Sequence, residues 1–218
     1  NAPRQYVSRA NREGYDGLLA LSPDERALFD LPIAPDVGAY RHRLAKLMQD
    51  KGLAVAPIKM EGYLNIDSGT LNPYRHGEVF VLNDGCETDM DLGTYERILN
   101  QDLTRRNFVT AGQIYTEVLE RERRGGYLGR DVQMIPHVTG VVKMRLRELA
   151  MTGNKGKQAD VVFVEVGGTA GDYENGFYIE ALRELVRGRS GQSLGFHALL
   201  ANDLDLLEAE FRGFDFGG

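Results

Sequence analysis

DVVFVEV, residues 160–166, is the stretch that decides the fold. It is a continuous apolar run of mostly β-branched residues, and such a run is typical of a parallel strand that is covered on both faces. The glycine-rich GGTAGD at 167–172 ends the strand, and the pattern from Gly176 to Val186 predicts a helix after it. Strand, turn and helix in this order predict an α/β protein built on a parallel sheet.

The rest of the chain extends this unit. Apolar residues at three- and four-residue spacings, closed by Gly52, predict a helix over 40–50, and the apolar run at 53–58 predicts a buried strand after it. A short helix over 23–29 is expected in a polar N-terminal segment. Further helices are expected over 95–103, 111–123 and 141–150, and further strands over 78–82 (at a sheet edge), 131–135 and 194–200.

Composition narrows the class of protein. The 218 residues carry a net charge of −6, which argues against a nucleic-acid-binding protein that relies on a broad basic face. Cys86 is the single cysteine, so no internal disulfide can form and a reducing compartment fits. No apolar stretch has the length of a membrane span, and none follows a basic N-terminus as in a secretory signal. We therefore expect a cytoplasmic protein with neither a membrane nor a nucleic-acid partner.

Residues 59–93 contain about thirty positions with almost no helical periodicity. The stretch is rich in Gly, Asn, Asp and Thr, and the apolar residues spaced through it argue against disorder. Since a loop of this length inside a compact domain is usually functional or disordered, we interpret it as the wall of an active site.

Charged groups stand where a ligand would bind. Glu165 ends the predicted central strand, where ligands bind in open α/β sheets. Lys59 ends the strand before it, and an ammonium there suits triphosphate oxygens. Glu87, Asp89 and Asp91 alternate, so an extended segment would put them on one face, where they would attract a cation such as Mg²⁺. The alternatives are solvent-exposed strand ends and a solvated acidic turn, and the residues alone leave both open.

Other polar residues carry weaker signals. Asp172 and Glu174 lie in the loop before a predicted helix, where Asp is also a common N-cap. His76 and His137 have no partner at ligand spacing, so metal binding by imidazole is not expected. The acidic neighbours of Cys86 raise its pKa, and we do not expect a catalytic thiol.

Four long motifs carry a resemblance to a known family. Residues 59–71 read KMEGYLNIDSGTL where the family has KLDPYLNVDPGTM, and residues 76–81 read HGEVFV as in the family. Residues 84–97 read DGCETDMDLGTYER where the family has DGAETDLDLGHYER, and VEVGGTAGD at 164–172 follows in family order. These words resemble the synthetase (amidoligase) domain of CTP synthase over roughly residues 40–200. The resemblance implies a three-layer, P-loop-NTPase-like α/β domain with a mostly parallel sheet flanked by helices.

The resemblance also implies a chemistry. In this family ATP phosphorylates the 4-oxygen of UTP, ammonia displaces that phosphate, and CTP results. Mg²⁺ neutralises the crowded phosphate charge, so catalysis depends mostly on positioning and electrostatics. The partners implied are UTP or a related pyrimidine nucleotide, ATP and ammonia. The family assembles as tetramers, so a homo-oligomer is expected.

Site residues follow by motif. Asp91 and Glu165 resemble the Mg²⁺ carboxylates, and Lys59 resembles a catalytic lysine that contacts phosphates. His76 falls in the motif that lines the ammonia path near the active site. The resemblance assigns contacts to the bound nucleotides to Lys59, Asp91, Glu165, Asp172 and Glu174.

The sequence departs from the family at several positions. In the family, a glycine-rich phosphate loop that ends in Gly-Lys-Gly precedes the helix matching residues 40–50. Here residues 31–38 read LPIAPDVG instead. The 218 residues contain no Gly-x-x-x-x-Gly-Lys motif. Glu61 and Gly62 replace the family's Asp and Pro, and YENG at 173–176 replaces IESL.

These departures set the expected domain division. We expect a divergent N-terminal extension at 1–38, an amidoligase domain at 39–201 and a tail at 202–218. One alternative to an active ligase is a catalytically inactive homologue that binds nucleotide or serves in assembly. A second is a related amidoligase that acts on another pyrimidine nucleotide with free ammonia.

Overall fold

The chain folds around a parallel sheet flanked by helices. A computed structural model describes residues 37–153, 156–168, 172–187 and 195–200, and it describes only the backbone of residues 37–41, 186–187 and 195–200. The helices are α1 (Val37–Asp50), α2 (Pro73–His76), α3 (Met90–Leu99), α4 (Ala111–Arg123), α5 (Thr139–Thr152) and α6 (Gly176–Arg187). The strands are β1 (Val55–Glu61), β2 (Phe80–Val81), β3 (Glu87–Thr88), β4 (Phe108–Thr110), β5 (Val161–Val166) and β6 (Gly195–Leu200).

The main sheet has four strands in the order β4-β1-β5-β6, and every neighbouring pair is parallel. Parallel neighbours require a crossover connection, and helices supply it here. The predicted central strand is β5, which pairs with β1 on one side and β6 on the other. This arrangement confirms the predicted α/β class.

Two apolar clusters cover the two faces of the sheet. Successive side chains of a strand point to opposite faces. Ile58, Met60 and Val164 therefore pack on the face covered by α4, α5 and α6. Val55 and Phe163 pack on the other face, against α1 and α3. The three layers predicted from the family resemblance are present, and the functional residues of β1 and β5 must project from one of these two faces.

Two predicted strands are wrong in place or in type. The strand expected over 78–82 is reduced to β2, which pairs antiparallel with β3 in a separate two-stranded hairpin and not at the edge of the main sheet. The strand expected over 131–135 is not formed, since a short π-helical segment at Met134–Val138 follows Gln133 and runs into α5. Apolar alternation over so few residues does not distinguish a strand from a turn.

Other boundaries moved by a few residues. The helix expected over 95–103 begins at Met90 and ends at Leu99, because Asp89 caps its start and Asn100 adopts a left-handed conformation at its end. Strand β1 continues through Lys59 to Glu61, so the lysine lies within the strand and not just after it. The short strand β4 was not predicted.

The long stretch 59–93 has local structure of its own. It contains the end of β1, a 3₁₀ turn at Ser68–Thr70, α2, the β2–β3 hairpin and the start of α3. The helix expected over 23–29 and the regions assigned to the extension and the tail lie almost wholly outside the described residues. The division at 38 and 201 therefore stays a prediction. Among the described helices, none combines the length and the apolarity needed to cross a bilayer.

Candidate active site

Two charged residues face each other at the carboxyl ends of the two central strands. Lys59 of β1 is the register partner of Glu165 of β5. Both follow the alternation of Val55 and Phe163, so both point to the face covered by α1 and α3. Lys59 is 4% exposed and Glu165 is fully buried. The Lys59 Nζ donates a hydrogen bond to Glu165 Oε1, which forms a buried ion pair across the strands.

Helix α3 brings the third charged group. Asp89 caps this helix by accepting a 3.1 Å hydrogen bond from the backbone N–H of Asp91. Asp91 itself lies in the first turn, where the helix dipole favours a carboxylate. Lys59 Nζ donates a 2.6 Å hydrogen bond to Asp91 Oδ2. The first turn of α3, which Asp89 caps, therefore holds the Asp91 carboxylate against Lys59 at the end of β1.

Tyr95 lies one turn further along α3 and holds the other oxygen of Glu165. Its hydroxyl donates a 2.9 Å hydrogen bond to Glu165 Oε2. With Lys59 on Oε1 and Tyr95 on Oε2, both carboxylate oxygens are bonded. A carboxylate held at both oxygens keeps its orientation, which a metal or phosphate site requires.

Four carboxylates surround the single Lys59 ammonium. Besides Asp91 and Glu165, Glu61 Oε1 lies 3.4 Å from the Nζ, and Asp89 Oδ2 lies 4.0 Å from it. If all are ionised, the cluster carries three more negative charges than positive ones. The geometry thus places four acidic groups around one fixed cation.

Burial and the neighbouring charges together shift the pKa values of Lys59, Glu61 and Asp89. Burial by itself lowers the pKa of Lys59, but the carboxylates, led by Glu165, outweigh it and hold that pKa above its ordinary value. Burial raises the pKa of Glu61, against the attraction of Lys59. Burial likewise raises the pKa of Asp89 to about 7, with Lys59 opposing it and Glu61 adding to it. Burial, which one ammonium only partly offsets, therefore makes Glu61 and Asp89 hold their protons more tightly, while the lysine stays charged.

The donor set fits a hard divalent cation. Within the described residues, no three His, Cys, Asp or Glu side chains are arranged as ready ligands of one metal ion. Asp91 and Glu165 instead share the Lys59 ammonium. Mg²⁺ needs only one or two carboxylates beside water and phosphate oxygens. Two buried or half-buried carboxylates in a crevice with excess negative charge meet that requirement.

Comparison with known proteins identifies the family. The family model for the CTP synthase N-terminus matches residues 37–202. The chain belongs to the CTP synthase N-terminal family. It is 48% identical over 159 residues to the CTP synthase of Methanosarcina barkeri, and 49% identical over 160 residues to that of Pyrobaculum calidifontis. It is also 49% identical over 148 residues to the CTP synthase of Thermotoga maritima.

The match covers most of this chain and a minor part of each relative. The aligned regions make up 72%, 73% and 68% of this chain, and 29%, 29% and 27% of those three relatives, respectively. The resemblance inferred from the motifs is therefore confirmed at the level of this family domain. The activity of the whole relatives has to be argued for this chain separately.

Three of the residues that the family motifs singled out meet in one place. Lys59, Asp91 and Glu165 are remote along the chain, and the structure brings them into direct contact. The idea that Glu87, Asp89 and Asp91 share one face of an extended segment is wrong, because α3 begins at Met90. Asp89 and Asp91 reach the lysine, whereas Glu87 is exposed on the hairpin.

The other motif residues are not among the ion-pair partners found for Lys59 within the described residues. His76 is exposed on α2, with its ring 6.0 Å from that of Tyr63. Glu174 is exposed in the 3₁₀ turn after β5, and Asp172 is half-buried just before that turn. Their roles in this family domain stay predictions.

Two residues outside the motif-based roles belong to the cluster. Glu61 lies two positions after Lys59 in β1 and so points to the same face, a signal that strand alternation could have given. Tyr95 lies four positions after Asp91 on α3, on the same side of the helix, but its contact with Glu165 depends on the tertiary fold.

Cys86 was not expected to be a catalytic thiol, and His137 was not expected to bind a metal; both have contacts that explain their place in the fold. Burial, then the charge of Asp84, raises the pKa of Cys86 to about 11, which leaves the thiol protonated at neutral pH. The Nδ1 of His137 accepts a 3.0 Å hydrogen bond from the backbone N–H of Gln133. Its ring packs edge-on against Tyr127.

Proposed function

We propose that this chain carries out the ATP- and Mg²⁺-dependent amination of the 4-position of UTP, or of a closely related nucleotide, with ammonia. The contact of Lys59 with Asp91 and Glu165 is the observation that carries the proposal. Membership of the CTP synthase N-terminal family supports the choice of substrates. The balanced reaction converts UTP, ATP and ammonia to CTP, ADP and phosphate.

The geometry suits a reaction dominated by phosphate charge. A phosphoryl group moves from ATP to the 4-oxygen of UTP, and ammonia then displaces it as phosphate. Asp91 and Glu165 would hold Mg²⁺, which when bound neutralises phosphate oxygens. Tyr95 fixes the orientation of Glu165 by its hydrogen bond to Oε2. A carboxylate already oriented needs little rearrangement when the site fills.

Lys59 supplies a permanent positive charge. Its pKa is held above the ordinary value, so it stays an ammonium across the physiological range. At 4% exposure it is shielded from water, which strengthens its attraction to phosphate oxygens. Lys59 would donate to the phosphoryl group that transfers between the two nucleotides.

The remaining roles come from the family. Asp172 and Glu174 follow β5 at the carboxyl side of the sheet, where ligands of open α/β sheets bind, and they would contact the pyrimidine nucleotide. His76 would line the path by which ammonia arrives. A cytoplasmic location and a homotetramer are also proposed from the family.

The direct test compares two glutamates. CTP formation is followed by ultraviolet absorbance in a mixture of UTP, ATP, MgCl₂ and ammonium chloride. Glu165→Gln keeps the shape of the side chain but removes its charge, and we expect a loss of at least about 100-fold in kcat, since even residues that merely orient metal ligands typically cost 10–100-fold. The control is Glu180→Gln on α6, where the glutamate pairs with Arg183 at 3.0 Å, and its rate should stay within about twofold.

One specific observation favours a second candidate. The 218 residues contain no Gly-x-x-x-x-Gly-Lys loop to cradle ATP phosphates. A catalytically inactive homologue would bind UTP in a calorimetric titration without forming CTP in the absorbance assay, whereas an active ligase would do both. In the test of the first candidate, a Glu165→Gln variant that forms CTP as fast as the unmutated chain would contradict the proposed role of Glu165.

A further inference from the structure

The turn Tyr173–Asn175 lies behind the ends of β1 and β5 and contains a buried amide. Asn175 is 1% exposed, and its Nδ2 donates a 2.6 Å hydrogen bond to the carbonyl oxygen of Gly167, the first residue after β5. Among the described residues, no group donates a hydrogen bond to the Oδ1 of the same amide. An unpaired buried acceptor costs free energy. A buried polar group without a partner calls for a specific explanation.

Gly62, the first residue after β1, faces this amide from the other side. A methyl group added at Gly62 would lie 2.5 Å from Asn175 Oδ1 and 2.8 Å from Cγ of Glu174. Both distances are shorter than van der Waals contact allows. Asn175 cannot retreat, because it is buried and hydrogen-bonded to Gly167 on its far side. Any side chain at position 62 therefore competes with the asparagine for one volume.

The start of α6 is fastened to both strands near this point. Asn175 bonds to the residue after β5, and the buried Tyr178 donates a 3.1 Å hydrogen bond from its hydroxyl to the carbonyl oxygen of Glu61, the last residue of β1. Glu174 sits beside these attachments, exposed and with its Cγ against Gly62. The two hydrogen bonds therefore hold the turn that carries Glu174 against the strand ends.

We propose that Asn175 is a positioning residue matched to Gly62, and that the pair places Glu174 for the pyrimidine nucleotide. This inference rests on the proposed function, since only there is Glu174 a nucleotide contact. The family has Pro and Ser at these two positions, and the chain departs at both. The Cβ of a proline at 62 would lie 2.5 Å from the Asn175 Oδ1, whereas a serine at 175 has no amide at that point. The two exchanges are therefore coupled through one contact.

A double-mutant cycle tests the pair in the full chain. Gly62→Ala, Asn175→Ser and the double variant are compared for kcat, KM for UTP and KM for ATP. We expect Gly62→Ala to raise KM for UTP about tenfold, with KM for ATP and kcat within about threefold, because the displaced Glu174 contacts only the pyrimidine nucleotide. Asn175→Ser should raise KM for UTP about threefold. The double variant should raise KM for UTP by less than the product of the two single effects, since the serine removes the 2.5 Å contact with the added methyl group and leaves only the contact with Glu174 Cγ.

Gly176→Ala is the matched control. It adds the same methyl group one residue after Asn175, and no described atom lies within 4 Å of that methyl position. Its kinetic constants should equal those of the unmutated chain. Should Gly62→Ala fail to fold while the double variant folds and binds UTP, the coupling is supported; should both fail to fold, it is overturned.

The outcomes separate this inference from the proposed function. If the unmutated chain forms no CTP, the proposed function falls, and the placement of Glu174 falls with it. If the chain forms CTP but the two substitutions act additively, only the inference falls. The same holds if KM for ATP rises as much as KM for UTP, because general damage to the site would then explain the result.

Discussion

At the amino ends of β1 and β5, Val55 lies opposite Val161, whereas at the carboxyl ends Lys59 lies opposite Glu165. The backbone pairing is the same at both ends, and all four side chains are buried. The polar contact at the amino end is peripheral: Asp160, exposed, accepts a 2.8 Å hydrogen bond from the backbone N–H of Ala54. At the carboxyl end the polar groups themselves fill the space between sheet and helix.

The difference shows how one sheet combines a stable region with a reactive one. Buried valines contribute stability by removal of apolar surface from water, and they need no particular partner. A buried ion pair costs desolvation and contributes only when every partner is present. The carboxyl end therefore depends on Lys59, on the carboxylates and on Tyr95 together. Substitutions of polar groups should be costly there and mild at the amino end.

Loss of the Lys59 charge should have the largest effect. Lys59→Met leaves Glu165 and its neighbours buried without a cation, and we expect the free energy of unfolding to fall by about 3–5 kcal/mol in metal-free buffer. Mg²⁺ should restore part of the loss, since it supplies the missing positive charge. Urea unfolding with EDTA or with MgCl₂ measures both effects.

Lys143→Met is the control for that loss. Lys143 pairs with Glu184 between α5 and α6, where both side chains are partly exposed, and its removal should cost less than about 1 kcal/mol. Equal losses in the two variants would show that the carboxyl end is no more dependent on its charges than a surface pair.

Asp89 should make the stability of the carboxyl end depend on pH. Its pKa is raised from 3.8 to about 7, mainly by burial, so the folded state binds the proton more tightly than the unfolded state. The stability contributed is full below pH 3.8 and is lost as the pH rises through 7. In metal-free buffer we expect the free energy of unfolding to fall by about 4 kcal/mol over this window.

Asp89→Asn should flatten that slope. Thermal or urea unfolding at a series of pH values measures it, and Asp102→Asn, at an exposed aspartate, should keep the slope of the unmutated chain. A slope that is unchanged in Asp89→Asn would assign the pH dependence to another group.

The contrast between the strand ends was only partly visible in the sequence. The β-branched run predicted β5 and its burial, and the family motifs named Lys59, Asp91 and Glu165 before any geometry was known. Glu61 could have been added by strand alternation. The contact of Tyr95 with Glu165 could not be predicted, because the packing of the helix layer on the sheet decides which helix residue reaches the strand.

Two short elements differ from the sequence-based predictions. Strand β4 has three residues between a 3₁₀ turn and α4, too few for an apolar run to stand out. The segment 131–135 has the apolar residues of a strand, but its backbone turns at Met134–Val138 and continues into a helix. In both places tertiary packing decided the outcome over local preference.

The Tyr95 hydroxyl should contribute less than the charges it orients. Tyr95→Phe removes the 2.9 Å hydrogen bond to Glu165 Oε2 and leaves the ring, so we expect a loss of about 2 kcal/mol in unfolding free energy. The rate of CTP formation should fall several-fold, because Glu165 loses one of the restraints on its orientation. Tyr74→Phe, at a fully exposed tyrosine, should change neither quantity. An unchanged rate in Tyr95→Phe would show that the Tyr95 hydroxyl is not needed to orient the carboxylate.

The smallest effect should come from the amino end. Asp160→Asn keeps an oxygen that can accept the hydrogen bond from Ala54, and the group is exposed, so the free energy of unfolding should change by less than about 0.5 kcal/mol. CTP formation should stay within about twofold, since this residue lies at the opposite end of β5 from Glu165. Urea unfolding and the absorbance assay measure the two quantities. A tenfold loss of rate here would mean that the amino end influences the chemistry, and the division of the sheet into a stable end and a reactive end would be wrong.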